Sequence, residues 1–239
     1  MRIHLLLLVL LLSCNPDNVQ ESLELTKDSS NETRKNSFSV DLDKCLNENV
    51  GLWALIDKVH SLSNEYVPGD LVVLKPGAYL LNVQGIKLRK VAAESLAEMA
   101  SAAKADGITL TIGSAYRSYD YQAQVHTRIV KQRGQTVADR ISAKPGHSQH
   151  QTGLAVDFSP MEDSFATTAA GKWVANNAAR FGWSLSYPQG YEDLTGYQWE
   201  SWHYRYVGET LALFIEKYFD GIQQKALEFI HEHEANLPR

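Results

Sequence analysis

The sequence predicts an α+β domain: a small, mostly antiparallel sheet flanked by helices. Two observations carry this. Helical patterns precede, interrupt and follow the strand patterns, and no regular strand–helix–strand alternation or internal repeat appears. Trp53, Leu55, Ile56, Val59 and Leu62 fall at helical spacing. Asp70 to Leu74 reads as a short strand ahead of the Pro76-Gly77 turn. Leu88 to Ala105 is a helix with Val91, Leu96, Met99 and Ala103 on one stripe and Gly107 as its stop. Ile108 to Ile112 alternates apolar residues with threonine, as a half-buried strand does. Tyr119 to Arg133 is a second helix closed by Gly134. Leu154 to Phe158 is a strand, and Gly171 to Arg180 a helix ended by Gly182. Trp183 to Tyr187 and Trp202 to Val207 are further strands, and Thr210 to His233 is helical.

The chain begins with a basic Met1-Arg2-Ile3-His4, a Leu/Val run from Leu5 to Leu12, and then Ser13-Cys14. That run is too short for a bilayer-spanning helix, which needs about 20 apolar residues. It predicts a secretory signal over residues 1–13. Leu11-Leu12-Ser13-Cys14 resembles a bacterial lipobox, which makes Cys14 the lipidated residue and the exported protein membrane-anchored in the periplasm or cell envelope. Residues 14–37 are polar, without apolar periodicity, and read as a disordered tether. The folded domain is expected over 38–239. Cys45 is then the one remaining cysteine, which rules out a disulfide scaffold and marks a small apolar residue beside the first helix. A net charge of −5 gives no support to nucleic-acid binding.

Two short segments carry the chemistry: Ser148-Gln149-His150-Gln151-Thr152-Gly153-Leu154-Ala155-Val156-Asp157 and Glu200-Ser201-Trp202-His203. Together they hold imidazoles and carboxylates in the types zinc accepts. Asp157 ends an apolar run, where a carboxylate is costly unless paired or metal-bound. Glu200 and His203 are three apart, so in a regular strand they would face opposite ways. Both reach one site only if the chain bends between them, and a bend is expected. With His150, Asp157 and His203 as ligands, an open position remains and Glu200 is left as a base to move a proton from water to a leaving amine. The helical H-E-x-x-H motif is absent. Arg117 follows a strand ending in Gly113-Ser114; its fork suits a peptide's free carboxylate or an oxyanion, and the sequence leaves both roles open.

S-x-H-x-x-G-x-A-x-D followed by E-x-W-H resembles the VanY-type D-alanyl-D-alanine carboxypeptidases, zinc peptidases related to VanX-type dipeptidases. The likeness extends in order through Ser114-Ala115-Tyr116-Arg117-Ser118-Tyr119 with Gln122, Ala143-Lys144-Pro145-Gly146, Asn177-Ala178, Phe181-Gly182-Trp183 and His203-Tyr204-Arg205-Tyr206-Val207-Gly208. It covers roughly residues 71–208. The resemblance implies a VanY/hedgehog-like fold with one zinc ion at the sheet. It implies His150, Asp157 and His203 as ligands, Glu200 as the catalytic glutamate, Arg117 at the polarised peptide oxygen, and Ser148 and Gln122 against the substrate's terminal residue. Trp202, between base and ligand, is expected to wall the pocket. The implied substrate is the peptidoglycan stem peptide. Its alternatives are L,D-carboxypeptidase or endopeptidase action on the same peptides, and a wall-binding lipoprotein that keeps zinc for structure. His147 is expected to be a solvated loop residue, and Trp173, Trp183 and Trp199 core residues.

Overall fold

A computed structural model describes residues 35–48 and 51–233. The proposed signal segment, Cys14 and nearly all of the proposed tether lie outside the described residues. The chain divides into two units, Met1–Asp41 and Leu42–Arg239; the second holds the sheet and every site residue. A helix, α1, runs over residues 35–48, starting three residues before Phe38, and buries Leu42, Cys45 and Leu46.

Strands β1 (Leu71–Val73) and β3 (Lys87–Arg89) form a separate antiparallel ribbon. The main sheet contains β2 (Leu80–Leu81), β4 (Thr111–Ser114), β5 (Ala155–Phe158), β6 (Trp183–Leu185) and β7 (His203–Tyr206), in the order β2-β4-β5-β7-β6. Only the β2/β4 edge is parallel. Helices α2 (Lys90–Ala105), α3 (Tyr119–Arg133), α4 (Gln135–Ile141), α5 (Ala169–Asn177), α6 (Glu192–Thr195), α7 (Glu209–Phe219) and α8 (Gln223–His233) surround it.

Strand alternation gives the sheet two unlike faces. Val156, Phe158, Ile112, Tyr204 and Trp183 enter one apolar core with Leu96, Met99, Ala100 and Ala103 of α2. These α2 residues recur at helical spacing, so burying one stripe docks the helix on the sheet. Asp157, His203 and Arg205 project from the other face, where Asp157 pairs with His203 and Ala155 with Arg205 in the register of β5 and β7. The apolar face thus fixes the register that sets the chemical face.

Several boundaries differ from expectation. Residues 53–62 form no helix: the Asp57 carboxylate accepts the backbone N–H groups of Val59 and His60, both at 2.8 Å, and so closes a local turn instead. The first long helix starts at Lys90, because Lys87 to Arg89 pair with β1. The C-terminal helix is two, broken where Asp220 and Gly221 take φ of 53° and 74°. Strand β2 and helix α4 carried too little pattern to be foreseen: two residues cannot alternate visibly, and α4 buries only Ala138.

Candidate metal centre and catalytic cleft

The site is built where β4, β5 and β7 end beside two turns. Asp157 is the penultimate residue of β5, opposite His203, the first residue of β7. His150 comes from a 3-10 turn, Gln149–Thr152, that stops at Gly153 in the left-handed region (φ 70°). A Cβ at Gly153 would lie 2.9 Å from Leu71, so glycine satisfies both the backbone and the packing there. Ser148 caps this turn through the His150 N–H (3.3 Å). The expected bend is a tight turn: the His203 N–H donates to Glu200 O at 3.2 Å, with Ser201 and Trp202 between. Glu200 and His203 therefore face the same space despite their odd offset.

His150, Asp157 and His203 are all buried, and one ligand atom from each lies within 4.8 Å of the others. His150 Nε2 is 3.2 Å from Asp157 Oδ2, and His203 Nδ1 is 3.0 Å from Asp157 Oδ1. These spacings approach the edge of about 3.3 Å that a tetrahedron with ~2.0 Å bonds would have. The remaining ring nitrogens fix the tautomers. His150 Nδ1 donates to Ala115 O (2.6 Å), a carbonyl that can only accept. His203 Nε2 faces Gln149 Oε1 (3.2 Å), which also accepts from Ser186 Oγ (2.7 Å). With those hydrogens so placed, Nε2 of His150 and Nδ1 of His203 are the nitrogens left facing the carboxylate. Three acceptors converging without a donor among them call for a cation, and N,N,O donors with an open side suit zinc.

Electrostatics agree. Burial would raise the Asp157 carboxyl, but its close neighbours His150, Arg117 and His203 outweigh it and hold the group well below the ordinary range. Burial, reinforced by Arg117, pushes His150 down to about 4, so it is neutral and free to ligate at neutral pH. Burial and then the Asp157 charge raise Glu200 to about 8. Glu200 Oε2 stands 3.7 Å from His203 Nδ1, and its side chain keeps 18% exposure.

Arg117 lies against the centre, its Nη2 2.5 Å from Asp157 Oδ2 and its Nε 3.0 Å from Ser114 Oγ. Gln122 is buried: its amide N–H donates to Ala143 O (2.7 Å), and its Oε1 faces Arg117 Nη1 at 3.5 Å. Ser148, Gln122, Arg117 and Trp202 all line one cavity of about 770 Å³ with the triad and Glu200. The expectations for four residues, Trp173, Trp183, Trp199 and His147, sort differently. Trp183 is core and Trp173 packs on it, whereas Trp199 is half-buried and lines an adjoining cleft. His147 is half-buried, its Nδ1 2.8 Å from Asp57 O, rather than solvated.

Gln149, Ser114 and Tyr187 were not foreseen as site residues. Tyr187 packs its ring 4.8 Å from His203. Gln149 continues into a buried chain, Nε2 donating to Gln223 Oε1 (3.3 Å) and Gln223 Nε2 to Ser184 O (3.1 Å). Its position beside His150 in the first motif was a usable signal, since metal-binding imidazoles almost always have an outer hydrogen-bond partner.

Fold and site define a metallopeptidase-type hydrolytic centre: three buried ligands on a sheet, a free carboxylate beside them and a cation behind. The VanY family, described as D-alanyl-D-alanine carboxypeptidase, matches residues 85–209, and the chain belongs to that family. It is 38% identical over 185 residues to the Bacillus subtilis (strain 168) protein YodJ, whose name assigns it to the carboxypeptidases, covering 72% of this chain and 68% of that one. Among solved structures it resembles the LdcB LD-carboxypeptidase, with TM-score 0.67 and 37% identity over 73% of this chain and 85% of that one. It also resembles a zinc complex of the vancomycin-resistance D,D-pentapeptidase VanY from a VanB-type cassette, with TM-score 0.60 and 28% identity over 74% and 98%.

Proposed function

We propose that this protein is a zinc-dependent carboxypeptidase that hydrolyses the terminal D-alanyl-D-alanine bond of peptidoglycan stem peptides. The carrying observation is the convergence of an imidazole nitrogen from each of His150 and His203 on Asp157, with Glu200 beside them and off the ligand set. A zinc ion held by His150, Asp157 and His203 supplies Lewis acidity toward a carbonyl oxygen and acidifies water. The protein's own groups do the rest. Glu200 is the base that takes a proton from the attacking water and returns it to the departing amine. A structural metal site has no need of this second carboxylate, which weighs against a purely wall-binding role. Arg117 offers guanidinium N–H groups to the oxygen on which negative charge develops, and Gln122 and Ser114 hold that guanidinium. Ser148 and Trp202 border the terminal residue, with Trp202 as a wall.

The likeness to the LdcB LD-carboxypeptidase supports a second reading, L,D cleavage on the same peptides. The anchor belongs to the same proposal: residues 1–13 direct export and Cys14 carries lipid, so that the polar stretch after it lets the catalytic domain stand off the membrane toward the wall. Mass spectrometry of intact purified protein, with and without lipase treatment, reads the anchor directly.

The function is tested on zinc-reconstituted protein. Release of D-alanine from peptides ending in D-Ala-D-Ala, stopped by a chelator and by Glu200→Gln, is expected. Release of D-alanine only from peptides ending in L-residue–D-alanine establishes the second reading instead, and no release from either class overturns both.

A further inference from the structure

A second pair of imidazoles repeats the spacing of the first. The rings of His60 and His231 have their centroids 4.7 Å apart and cross at 66°. At the metal centre the rings of His150 and His203 are 4.8 Å apart and cross at 84°. Two imidazoles that share one ion through nitrogens at ~2.0 Å have their centroids about 4.5–5 Å apart. Both pairs meet that spacing. The second pair lies at the surface, where an ion can reach it: His60 keeps 37% of its side chain exposed, and His231 is exposed on α8. Neither ring lines the catalytic cavity.

Spacing alone also suits an edge-to-face contact between two rings. The orientation of His60 separates the two cases. Its Nδ1 lies 3.0 Å from Oδ1 and 3.1 Å from Oδ2 of Asp57. Burial would raise the Asp57 carboxyl, but the backbone N–H groups of His60 and Val59, then the His60 ring and Gln224, bring it below its ordinary value. An ionised carboxylate only accepts, so His60 Nδ1 carries the hydrogen and the neutral ring keeps its lone pair on Nε2. Gln224 Nε2 of α8 holds Asp57 Oδ2 at 3.0 Å and fixes the carboxylate behind the ring. Metal-binding histidines almost always have such an outer partner. The turn that closes on Asp57 thus presents an aimed imidazole to His231.

We propose that His60 and His231 form a second metal site, which takes a divalent ion that accepts imidazole, such as zinc, copper or nickel. Among the described residues, His150, Asp157 and His203 are the one group of three ligands that meets closely. The second site therefore has two protein ligands, with water in its other positions, and binds more weakly than the first. An ion there ties α8 to the turn at residues 57–60. Both lie outside the residues 85–209 matched by the family, and the site does not depend on the peptidase reading.

Calorimetric titration of the metal-free full chain with zinc, without an affinity tag, tests this. Two equivalents are expected, one tight and one weaker. His60→Ala and His231→Ala should each remove the weaker equivalent and keep the tight one, and His150→Ala should do the reverse. Asp57→Asn should weaken the second site about 10–100-fold; because Asp57 also closes the turn, the two histidine variants decide. The melting temperature of the parent should rise again between the first and second equivalents, and that further rise should vanish in either histidine variant. A single equivalent in the parent, or a second equivalent that survives in His60→Ala or in His231→Ala, overturns the site.

Discussion

The two imidazoles of the metal centre are held by different means. His150 rides on a turn and gives its Nδ1–H to a main-chain carbonyl, Ala115 O. His203 sits in a strand and gives its Nε2–H to a side chain, Gln149, which is itself held by Ser186 and Gln223. The consequence is that the two rings would offer a metal opposite nitrogens, Nε2 of His150 and Nδ1 of His203. A ring in a strand has its backbone direction fixed by the sheet, so only a partner on the far side can set its tautomer. A main-chain partner survives any side-chain change, while a side-chain relay does not. The first half of the site is built into the fold, and the second is written in replaceable residues.

Removing either ring is the largest perturbation and treats the halves alike. His150→Ala and His203→Ala should each weaken zinc binding by more than the ~10–100-fold typical of losing an outer partner. Competition with a chromophoric chelator measures this. If only one variant loses zinc, the ligand set is wrong on the other side.

Glu200 tests the space between the halves. At neutral pH a carboxyl raised to about 8 is protonated, and a dication beside it favours the charged form. Zinc binding at pH 7 should therefore release about one proton, read by calorimetry in buffers of different ionisation enthalpy. Glu200→Gln should bind zinc without that proton and lose about 10²–10⁴-fold in kcat. The sign in the metal-free protein follows. Glu200 has its folded pKa above its unfolded value of 4.5, so its stabilisation is present below 4.5 and lost as pH rises through about 8. Undiminished proton release in Glu200→Gln would assign the proton elsewhere.

The partners themselves break the symmetry. Gln149→Leu should weaken zinc binding about 10–100-fold, because Nε2 of His203 loses its acceptor and the ring can take the wrong tautomer. Ala115→Gly keeps the carbonyl that orients His150 and should change zinc affinity less than about threefold. Equal losses in the two would mean that the rings are held by packing rather than by these bonds.

This asymmetry also explains what was legible in the sequence. His150, Asp157, His203, Glu200 and Arg117, which the fold brings to one cavity, drew notice because some of their chemistry is extreme at its position: a carboxylate ending an apolar run, a cation after a strand. The bend at Ser201-Trp202 followed from the odd spacing of two residues with one destination. The carbonyl of Ala115 was invisible, since every residue has one and only the tertiary fold aims it. Gln149 and Gln223 are 74 residues apart and meet only through packing of α8. The false helix at residues 53–62 had the right apolar spacing, but burial of Leu55 and Ile56 was achieved by an irregular segment pinned by Asp57. Periodicity reports which side chains are buried, not which backbone buries them.

The smallest effect lies farthest out. Gln223 belongs to α8, beyond the residues 85–209 matched by the family, and reaches the centre only through Gln149. Its Oε1 contacts are long, 3.3 Å to Gln149 and 3.4 Å to Ser186, so they orient Gln149 weakly. In Gln223→Ala, Gln149 still accepts from His203 and Ser186, and zinc affinity should fall only severalfold, less than in Gln149→Leu. Stability should suffer more visibly. The buried Gln149 amide loses its acceptor and Ser184 O its donor, at about 1–3 kcal/mol for a stranded buried polar group, read as a lower melting temperature of the zinc-free protein. A loss of zinc affinity equal to that of Gln149→Leu would show that the relay acts as one unit, extending the replaceable half of the site into the last helix. Unchanged affinity with lowered stability would confine that half to the single bond between Gln149 and His203.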